Sequence, residues 1–383
     1  MKQRHKPIKK MHNFWMVGLI ILAVLVLAAC DGGSTEEAVE AEQPAEEVMT
    51  EEPTEESEPA KIVISNWDGY MPEDLLDNFT AETGIETELA LHATNEEIVG
   101  KLVASGGQGF DVVFVASQFA QALFNQDLLS EIDHAQIPNM ENLYDEANQI
   151  AFDPGLKYSV PYTWGTTGLC YRTDLVSYEP DSWYDLLQPP EELAGKITML
   201  QTDRWLLLPG QKALGYSVNT TDEGEMQKVR ELLIEAKATL LAYDDTDFYS
   251  KLVSGEASLV EAWDGWCNYG IAENGDIVFV VPKEGSDLWV DTMVIPSASQ
   301  NKEAAFAFIN YVLRPEIATW IVENILYKSP NKVAMEGIDP ALFEAFPNLN
   351  MSPADLVKLE ALEDIGDAQS LYTDVVTDIL AAP

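Results

Sequence analysis

The sequence predicts an α/β protein of two lobes joined by a hinge, on three observations. Strand-like and helix-like segments alternate from Lys61 onward and give a βαβαβ opening. The same alternation returns after residue 196, and two extended stretches, 159–172 and 288–295, connect the two series. The chain from 61 to 383 is longer than one ordinary core and suits two lobes.

The first series begins with a short apolar strand at 61–65, followed by the loop from Trp67 to Tyr70. A helix then has Pro72 in its first turn and stops at Gly84. Further strands are predicted at 85–91 and 110–116, with a helix at 95–104 between them. This order favours a mostly parallel sheet with helices on both faces.

The second series repeats the pattern. Its predicted strands are 196–200, 258–262 and 277–281, and its predicted helices are 225–241, 248–253, 302–313 and 315–323. We expect one lobe of residues 61–167 plus 291–335 and another of residues 168–290 plus 336–383. Because ligands of open α/β sheets bind at the carboxyl ends of strands, residues that directly follow a strand are expected at the site. These are Trp67, Ser117 and Trp263.

The first 29 residues have the pattern of a lipoprotein signal peptide. A basic start precedes the uncharged run 14–29, which is short for a membrane span and closes with small residues before Cys30. An uncleaved anchor is the alternative, and in both cases the rest of the chain lies outside the cytoplasm. Residues 31–60 have twelve acidic side chains and no Lys or Arg. They predict a solvated tether, 30–60, that begins at a lipidated Cys30.

Charge and cysteine content limit the partners. The net charge of −43 disfavours nucleic acid and anionic lipid and attracts small cations. Cys170 and Cys267 allow either one disulfide or two buried thiols. With His92 and His134 as the histidines after residue 29, and no CxxC or HExxH motif, we expect no metal site and no cofactor.

An enzyme is not expected, because the motifs of nucleophilic or phosphate chemistry are missing from the sequence. The Gly-rich run 105–109 precedes a strand, whereas a phosphate-binding loop opens a helix, so it predicts a turn. Asp244 and Asp245 lie in a turn before a helix, where Asp commonly caps. A membrane-tethered hydrolase is therefore the weaker alternative.

A binding function has better support, since a tryptophan lies within two residues of an aspartate at three places. The contact between an indole face and an organic ammonium ion contributes about 0.5–2 kcal/mol of binding free energy, while a carboxylate accepts the hydrogen bonds of the ammonium. This combination indicates a site for an organic cation. The pairs are Trp67 with Asp68, Trp263 with Asp264, and Trp289 with Asp291.

Several motifs, in this order along the chain, resemble those of the spermidine/putrescine-binding lipoproteins of ABC importers. They are Asn66-Trp67-Asp68-Gly69-Tyr70, the Ser117 loop, Tyr158-Ser159-Val160-Pro161-Tyr162-Thr163-Trp164-Gly165, Leu214-Gly215-Tyr216-Ser217, Asn219-Thr220-Thr221-Asp222, Pro282-Lys283-Glu284-Gly285, Trp289-Val290-Asp291 and Asn310-Tyr311-Val312-Leu313-Arg314-Pro315. The resemblance covers nearly all of residues 61–383. It implies a type II periplasmic-binding-protein fold, a polyamine (putrescine or spermidine) in the interlobe cleft, ABC permease subunits as partners and a monomer.

The resemblance also implies roles for single residues. Trp67 and Tyr70 would wall the site with Asp68 at its mouth, and Ser117 and Phe119 match family site positions. In the second half, Trp263 would stack on the methylenes, Trp289 with Asp291 would hold an ammonium, and Tyr327 would close one end.

One departure from the family pattern affects the expected ligand. Where the family has an Asp-x-x-Glu segment, this chain has Thr202-Asp203-Arg204-Trp205-Leu206. Asp203 is a candidate for the Asp, Trp205 or a neighbour holds the Glu position, and Asp264 is a candidate to supply the missing carboxylate. Another organic cation or an amino-acid-like solute is therefore the alternative ligand.

Overall fold

The computed structural model describes residues 60–383, so the predicted signal peptide, Cys30 and tether lie outside the described residues. Its strands are β1 Lys61–Asn66, β2 Glu86–Leu91, β3 Val112–Ala116, β4 Val160–Gly165, β5 Thr167–Arg172, β6 Ile197–Met199, β7 Ala242–Tyr243, β8 Leu259–Trp263, β9 Ile277–Val280, β10 Asp287–Val294 and β11 Glu360–Ala361.

The helices alternate with these strands. They are α1 Leu75–Thr83, α2 Asn95–Ser105, α3 Ser117–Asn125, α4 Trp183–Leu187, α5 Asp203–Ala213, α6 Glu223–Lys237, α7 Phe248–Ser254, α8 Asp264–Glu273, α9 Lys302–Val312, α10 Pro315–Ile325, α11 Lys332–Glu336, α12 Pro340–Ala345, α13 Pro353–Leu356 and α14 Gln369–Ala381. Within the described part of the chain, none of them has the length and apolar character required to cross a bilayer.

The strands form two sheets, as the predicted α/β lobes require. The first has the order β11-β10-β3-β1-β2, with β4 also paired to β10. The second has the order β7-β6-β8-β5-β9. We use first lobe and second lobe for the layers built on these two sheets.

Both sheets are mixed, in contrast to the mostly parallel sheet that the opening pattern favours. β1 runs parallel to β2 and β3, but β10 pairs antiparallel with both β3 and β4. In the second sheet β6 runs parallel to β7 and β8, whereas β5 is antiparallel to β8 and β9. β4, β5 and β10 come from the two extended stretches, so those connections are themselves strands of the two sheets.

The local sequence explains the central strands and their helices. All five residues of β3, Val112–Ala116, are buried, which is typical of a strand covered on both faces. α2 begins at the N-cap Thr94, whose hydroxyl accepts from the N–H of Glu97, and ends at Gly106 in the left-handed conformation (φ +64°). The carboxyl end of β3 leads directly into α3, which positions Ser117.

Two short crossings connect the lobes and are bonded to each other. Between β4 and β5 there is only Thr166, and residues 281–286 lead from β9 to β10. The Ser286 hydroxyl donates to the carbonyl of Thr167 at 2.6 Å, and the Thr167 N–H donates to Asp287 at 2.9 Å. The crossings therefore meet at one polar junction.

A disulfide lies within the second lobe. Cys170 on β5 is bonded to Cys267 on α8, with Cα atoms 6.0 Å apart. The alternative of two buried thiols that the sequence leaves open is therefore wrong. The lobe boundaries predicted from the sequence stay a prediction. One of them, between residues 290 and 291, falls inside β10, which belongs to the first sheet along its whole length from Asp287.

Candidate functional site

β10 places three of its side chains on one face of the first sheet. Alternation along a strand puts Asp287, Trp289 and Asp291 on the same side. Leu288 and Val290 point to the opposite side, where they pack in a separate apolar cluster. Asp291 is paired with Thr163 on β4 and with Ala116 on β3, so it lies in the interior of the sheet rather than at an edge.

Asp291 is a half-buried carboxylate whose recorded hydrogen bond comes from a tyrosine hydroxyl. It accepts a hydrogen bond from the Tyr70 hydroxyl at 2.7 Å, and that hydroxyl also lies 2.7 Å from the Thr163 hydroxyl. Burial raises the pKa of Asp291 to about 6, and the hydrogen bond from Tyr70 opposes this rise. Among residues 60–383, Asp291 forms no ion pair.

Aromatic rings pack against one another in edge-to-face contacts, beginning with Tyr70, which is hydrogen-bonded to this carboxylate. The centroid of Tyr70 lies 5.4 Å from that of Trp67 and 5.0 Å from that of Tyr327. Tyr327 in turn lies 5.8 Å from Trp289. The four rings contribute apolar walls around Asp291, the arrangement that holds an organic ammonium ion.

Further aromatic rings on and beside α8 extend this set into the second lobe, and we call the whole set the ring series. Tyr327 lies 6.3 Å from Tyr269, which lies 6.0 Å from Trp266. Trp266 lies 6.5 Å from Trp263, at the end of β8. Trp266 and Tyr269 are not among the residues predicted from the sequence, although their spacing of three residues places them on one side of a helix.

Two glycines allow this close packing. A Cβ atom at Gly165 would clash with the Trp289 ring and with a carboxylate oxygen of Asp264. At Gly265 a Cβ atom would lie 2.5 Å from the Tyr327 ring. Because real Cβ atoms do not approach that closely, any larger residue at either position would displace a wall of the site.

Asp264 forms an ion pair that the sequence analysis did not predict. Its carboxylate accepts from the ammonium of Lys328, and each side chain is only 3% exposed. Burial raises the pKa of Asp264, and the Lys328 ammonium opposes that rise. Lys328 reaches this position because Leu326 ends α10 in the left-handed conformation (φ +55°), which redirects the chain.

Trp205 lies in the second lobe and is bonded to the junction. Its indole N–H donates to Asp287 at 2.9 Å, and its ring lies 5.4 Å from that of Trp263. Burial raises the pKa of Asp287, while the N–H groups of Thr167 and Trp205 oppose that rise. Asp287 is a residue that the sequence analysis missed, although it shares the two-residue alternation of Trp289 and Asp291.

Four other predicted site residues lie outside the ring series. Asp68 is exposed in the loop after β1. Ser117 is buried and donates to the carbonyl of Leu362 at 3.2 Å, and Phe119 packs on the apolar cluster of the opposite sheet face. Asp203 accepts from the Thr373 hydroxyl of α14 at 2.9 Å. Their contact with a ligand stays a prediction.

Comparison with known proteins places this geometry among binding proteins. A family model described as bacterial extracellular solute-binding protein matches residues 74–347. The spermidine/putrescine-binding periplasmic protein of Escherichia coli is 31% identical over 316 residues, which are 82% of this chain and 89% of the relative. The putrescine-binding periplasmic protein of the same organism is 29% identical and covers 73% of this chain and 80% of its own length.

Solved structures agree with this result. The spermidine/putrescine ABC transporter substrate-binding protein of Streptococcus pneumoniae superposes with a TM-score of 0.74 at 30% identity, covering 84% of this chain and 98% of its own. For the putative spermidine/putrescine ABC transporter protein of Listeria monocytogenes the TM-score is 0.77 at 29% identity, covering 84% and 99%. The two-lobed binding-protein fold that the sequence predicts is therefore confirmed.

Proposed function

Because this chain belongs to the bacterial extracellular solute-binding protein family, we propose that it captures a polyamine between its two lobes and delivers it to an ABC importer. The family consists of solute-binding proteins rather than enzymes, and it works outside the cytoplasm. Relatives named for spermidine and putrescine binding support the choice of a polyamine.

This proposal depends on the carboxylate of Asp291, which forms no ion pair within the part of the chain that the structure describes. A half-buried acid with no cation beside it costs free energy unless a ligand supplies the missing charge. A polyamine ammonium meets that need, and its methylenes match the faces of Tyr70, Trp289 and Tyr327. Each ring whose face contacts the cation adds about 0.5–2 kcal/mol to the binding free energy.

The proposed contacts come from both lobes. Asp291 binds one ammonium, and exposed Asp68 at the mouth binds another. The walls are Trp67, Tyr70, Trp263, Trp289 and Tyr327. Ser117, Phe119, Asp203 and Trp205 complete the proposed ligand contacts, as the family resemblance implies.

Isothermal titration of residues 61–383 with putrescine, spermidine and spermine tests the proposal. At least one amine should bind tightly, and Asp291→Asn should weaken that binding by about 2–5 kcal/mol, or roughly 30-fold or more, because the carboxylate pairs with a desolvated charge. Asp374→Asn, at an exposed aspartate of α14, is the matched control and should bind as the wild type does. Absence of binding to all three amines would refute the proposal.

We also propose that residues 1–29 are removed as a signal peptide and that Cys30 is lipidated. The acidic tether 30–60 then holds a monomeric binding protein at the outer face of the plasma membrane, within reach of its permease. The apolar run before Cys30 and the small residues beside it support this placement.

Metabolic labelling tests the anchor. Cells that express the full chain should incorporate labelled fatty acid into it, and Cys30→Ala should abolish the label. Labelling that persists in the variant would contradict the assignment. Because Cys170 and Cys267 form a disulfide, they do not compete as acceptors in the folded protein.

A further inference from the structure

The ion pair between Lys328 and Asp264 joins the two lobes beside the site. Asp264 is the first residue of α8 and directly follows β8 of the second sheet, whereas Lys328 lies between α10 and α11. Both side chains are 3% exposed, and the ammonium also donates to the carbonyl of Asn348 at 3.2 Å. A lysine ammonium is thus held inside the protein rather than at its surface.

This pair borders the walls of the site. Gly165, the strand partner of Trp289, is the residue at which an added Cβ would contact both the Trp289 ring and the Asp264 carboxylate. Trp289 and Asp291 are two residues apart on β10, or about 7 Å. Asp264 therefore lies next to the ring that faces the ligand and within the reach of an amine bound at Asp291.

The ion pair reduces the number of carboxylates that are available to a ligand ammonium. Asp264 is neutralised by Lys328, and Asp203 is bonded to α14. Of the three aspartates that accompany a tryptophan in the sequence, Asp291 and exposed Asp68 have no ion-pair partner within the described residues. An incoming ammonium can use Asp264 only if Lys328 leaves, and separation of a buried pair leaves an uncompensated charge, which is strongly unfavourable.

We propose that Lys328 occupies the subsite of a third ammonium, so that the site selects a diamine over a triamine. This inference rests on the proposed function. An extended chain gains about 1.2 Å per bond, so putrescine spans about 6 Å and spermidine about 11 Å between terminal nitrogens. Putrescine has two ammonium groups, one for each of the carboxylates of Asp291 and Asp68. The third ammonium group of spermidine meets the Lys328 ammonium and has no carboxylate partner.

Titration calorimetry with putrescine and spermidine tests the inference on wild type, on Lys328→Met, and on the double variant Asp264→Asn/Lys328→Met. Wild type should bind putrescine about tenfold more tightly than spermidine or better. Lys328→Met frees the Asp264 carboxylate and should shift the ratio of the two dissociation constants toward spermidine by about tenfold or more. The double variant removes the lysine charge without freeing a carboxylate, so its ratio should lie between the other two.

The outcomes separate this inference from the proposed function. Binding of both amines with the same ratio in wild type and Lys328→Met, or a wild type that prefers spermidine, overturns the inference and leaves polyamine capture intact. Failure of every protein to bind any amine overturns both. If Lys328→Met does not melt cooperatively by circular dichroism, the double variant decides, because an unchanged ratio there also refutes the role of Lys328.

Discussion

At the residue scale, the site contains an acid whose folded environment opposes its own charge. Burial raises the pKa of Asp291 from 3.8 to about 6, and one hydrogen bond from Tyr70 only partly offsets the lost hydration. A structural carboxylate of this kind normally has a cation or several N–H donors, as Glu360 does with Lys212 and the Val218 N–H. Within residues 60–383 Asp291 has neither, so it lowers stability in the absence of a ligand.

This deficit predicts a pH dependence of stability in the free protein. For an acid whose pKa is higher in the folded than in the unfolded state, the unfolded state releases its proton first. The contribution of Asp291 is therefore fully present below about pH 4 and is lost as the pH rises through about 6, a loss of about 2–3 kcal/mol. Asp291→Asn should be more stable than wild type by about that amount at pH 7, with no difference near pH 4.

Urea denaturation of both proteins at a series of pH values measures the effect. The difference in the free energy of unfolding should follow a single titration between pH 4 and 7. Parallel stability curves for the two proteins would show that Asp291 is not destabilised in the folded state. Asp374→Asn again provides a control with the same loss of charge at an exposed position.

The sequence predicts some residues of the site better than others. Trp289 and Asp291 are recognisable because an aspartate inside an apolar strand needs a partner, and the structure places them on one face beside Tyr70 and Tyr327. The bond between Lys328 and Asp264 joins residues 64 positions apart and depends on the turn at Leu326. No local pattern indicates that contact, so Asp264 appeared in the sequence as a free carboxylate.

At the element scale, prediction succeeds where a segment has its own hydrophobic pattern. The strand predicted at 110–116 is Val112–Ala116, and the helix predicted at 225–241 is Glu223–Lys237. α5 and α8 were not predicted. α5 contains Pro209, and α8 has buried Gly265, Cys267 and Gly270 among aromatic residues, so neither shows a simple apolar face.

Strand direction also depends on contacts that local sequence does not contain. β10 lies between β3 and β4, which come from distant parts of the chain, and it is antiparallel to both. Each of these strands is identifiable as extended, but their pairing depends on how the crossings at Thr166 and 281–286 direct the chain. This pairing brings Thr163 opposite Asp291 and Gly165 opposite Trp289, which fixes the positions of Asp291 and Trp289 on the sheet.

At the scale of the whole molecule, the lobes meet through polar bonds as well as through rings. The Asn268 amide donates to the carbonyl of Leu326 at 2.7 Å, and the Tyr269 hydroxyl donates to that of Ile325 at 2.9 Å. Both donors are on α8 of the second lobe, and both acceptors are at the end of α10 on the first-lobe side. Because Trp289 and Tyr327 are almost fully buried in this arrangement, we expect both rings to become accessible only when the lobes separate.

We expect loss of these interlobe bonds to lower the affinity for all amines alike, whereas loss of Lys328 changes the preference between putrescine and spermidine. Replacement of both donors, Asn268→Ala with Tyr269→Phe, removes two neutral hydrogen bonds worth about 0.5–1.5 kcal/mol each. The closed arrangement becomes less populated, so the affinity for every amine should fall by the same factor, roughly tenfold. The ratio between the dissociation constants of putrescine and spermidine should stay as in wild type, because no charge near Asp291 or Asp264 has changed.

Titration calorimetry measures the affinity and this ratio, and small-angle X-ray scattering of the free protein should show a larger radius of gyration in the double variant. Tyr249→Phe, which removes a hydroxyl from α7 within the second lobe, should alter neither quantity. An unchanged affinity and radius in the Asn268/Tyr269 variant would show that these bonds do not hold the lobes together.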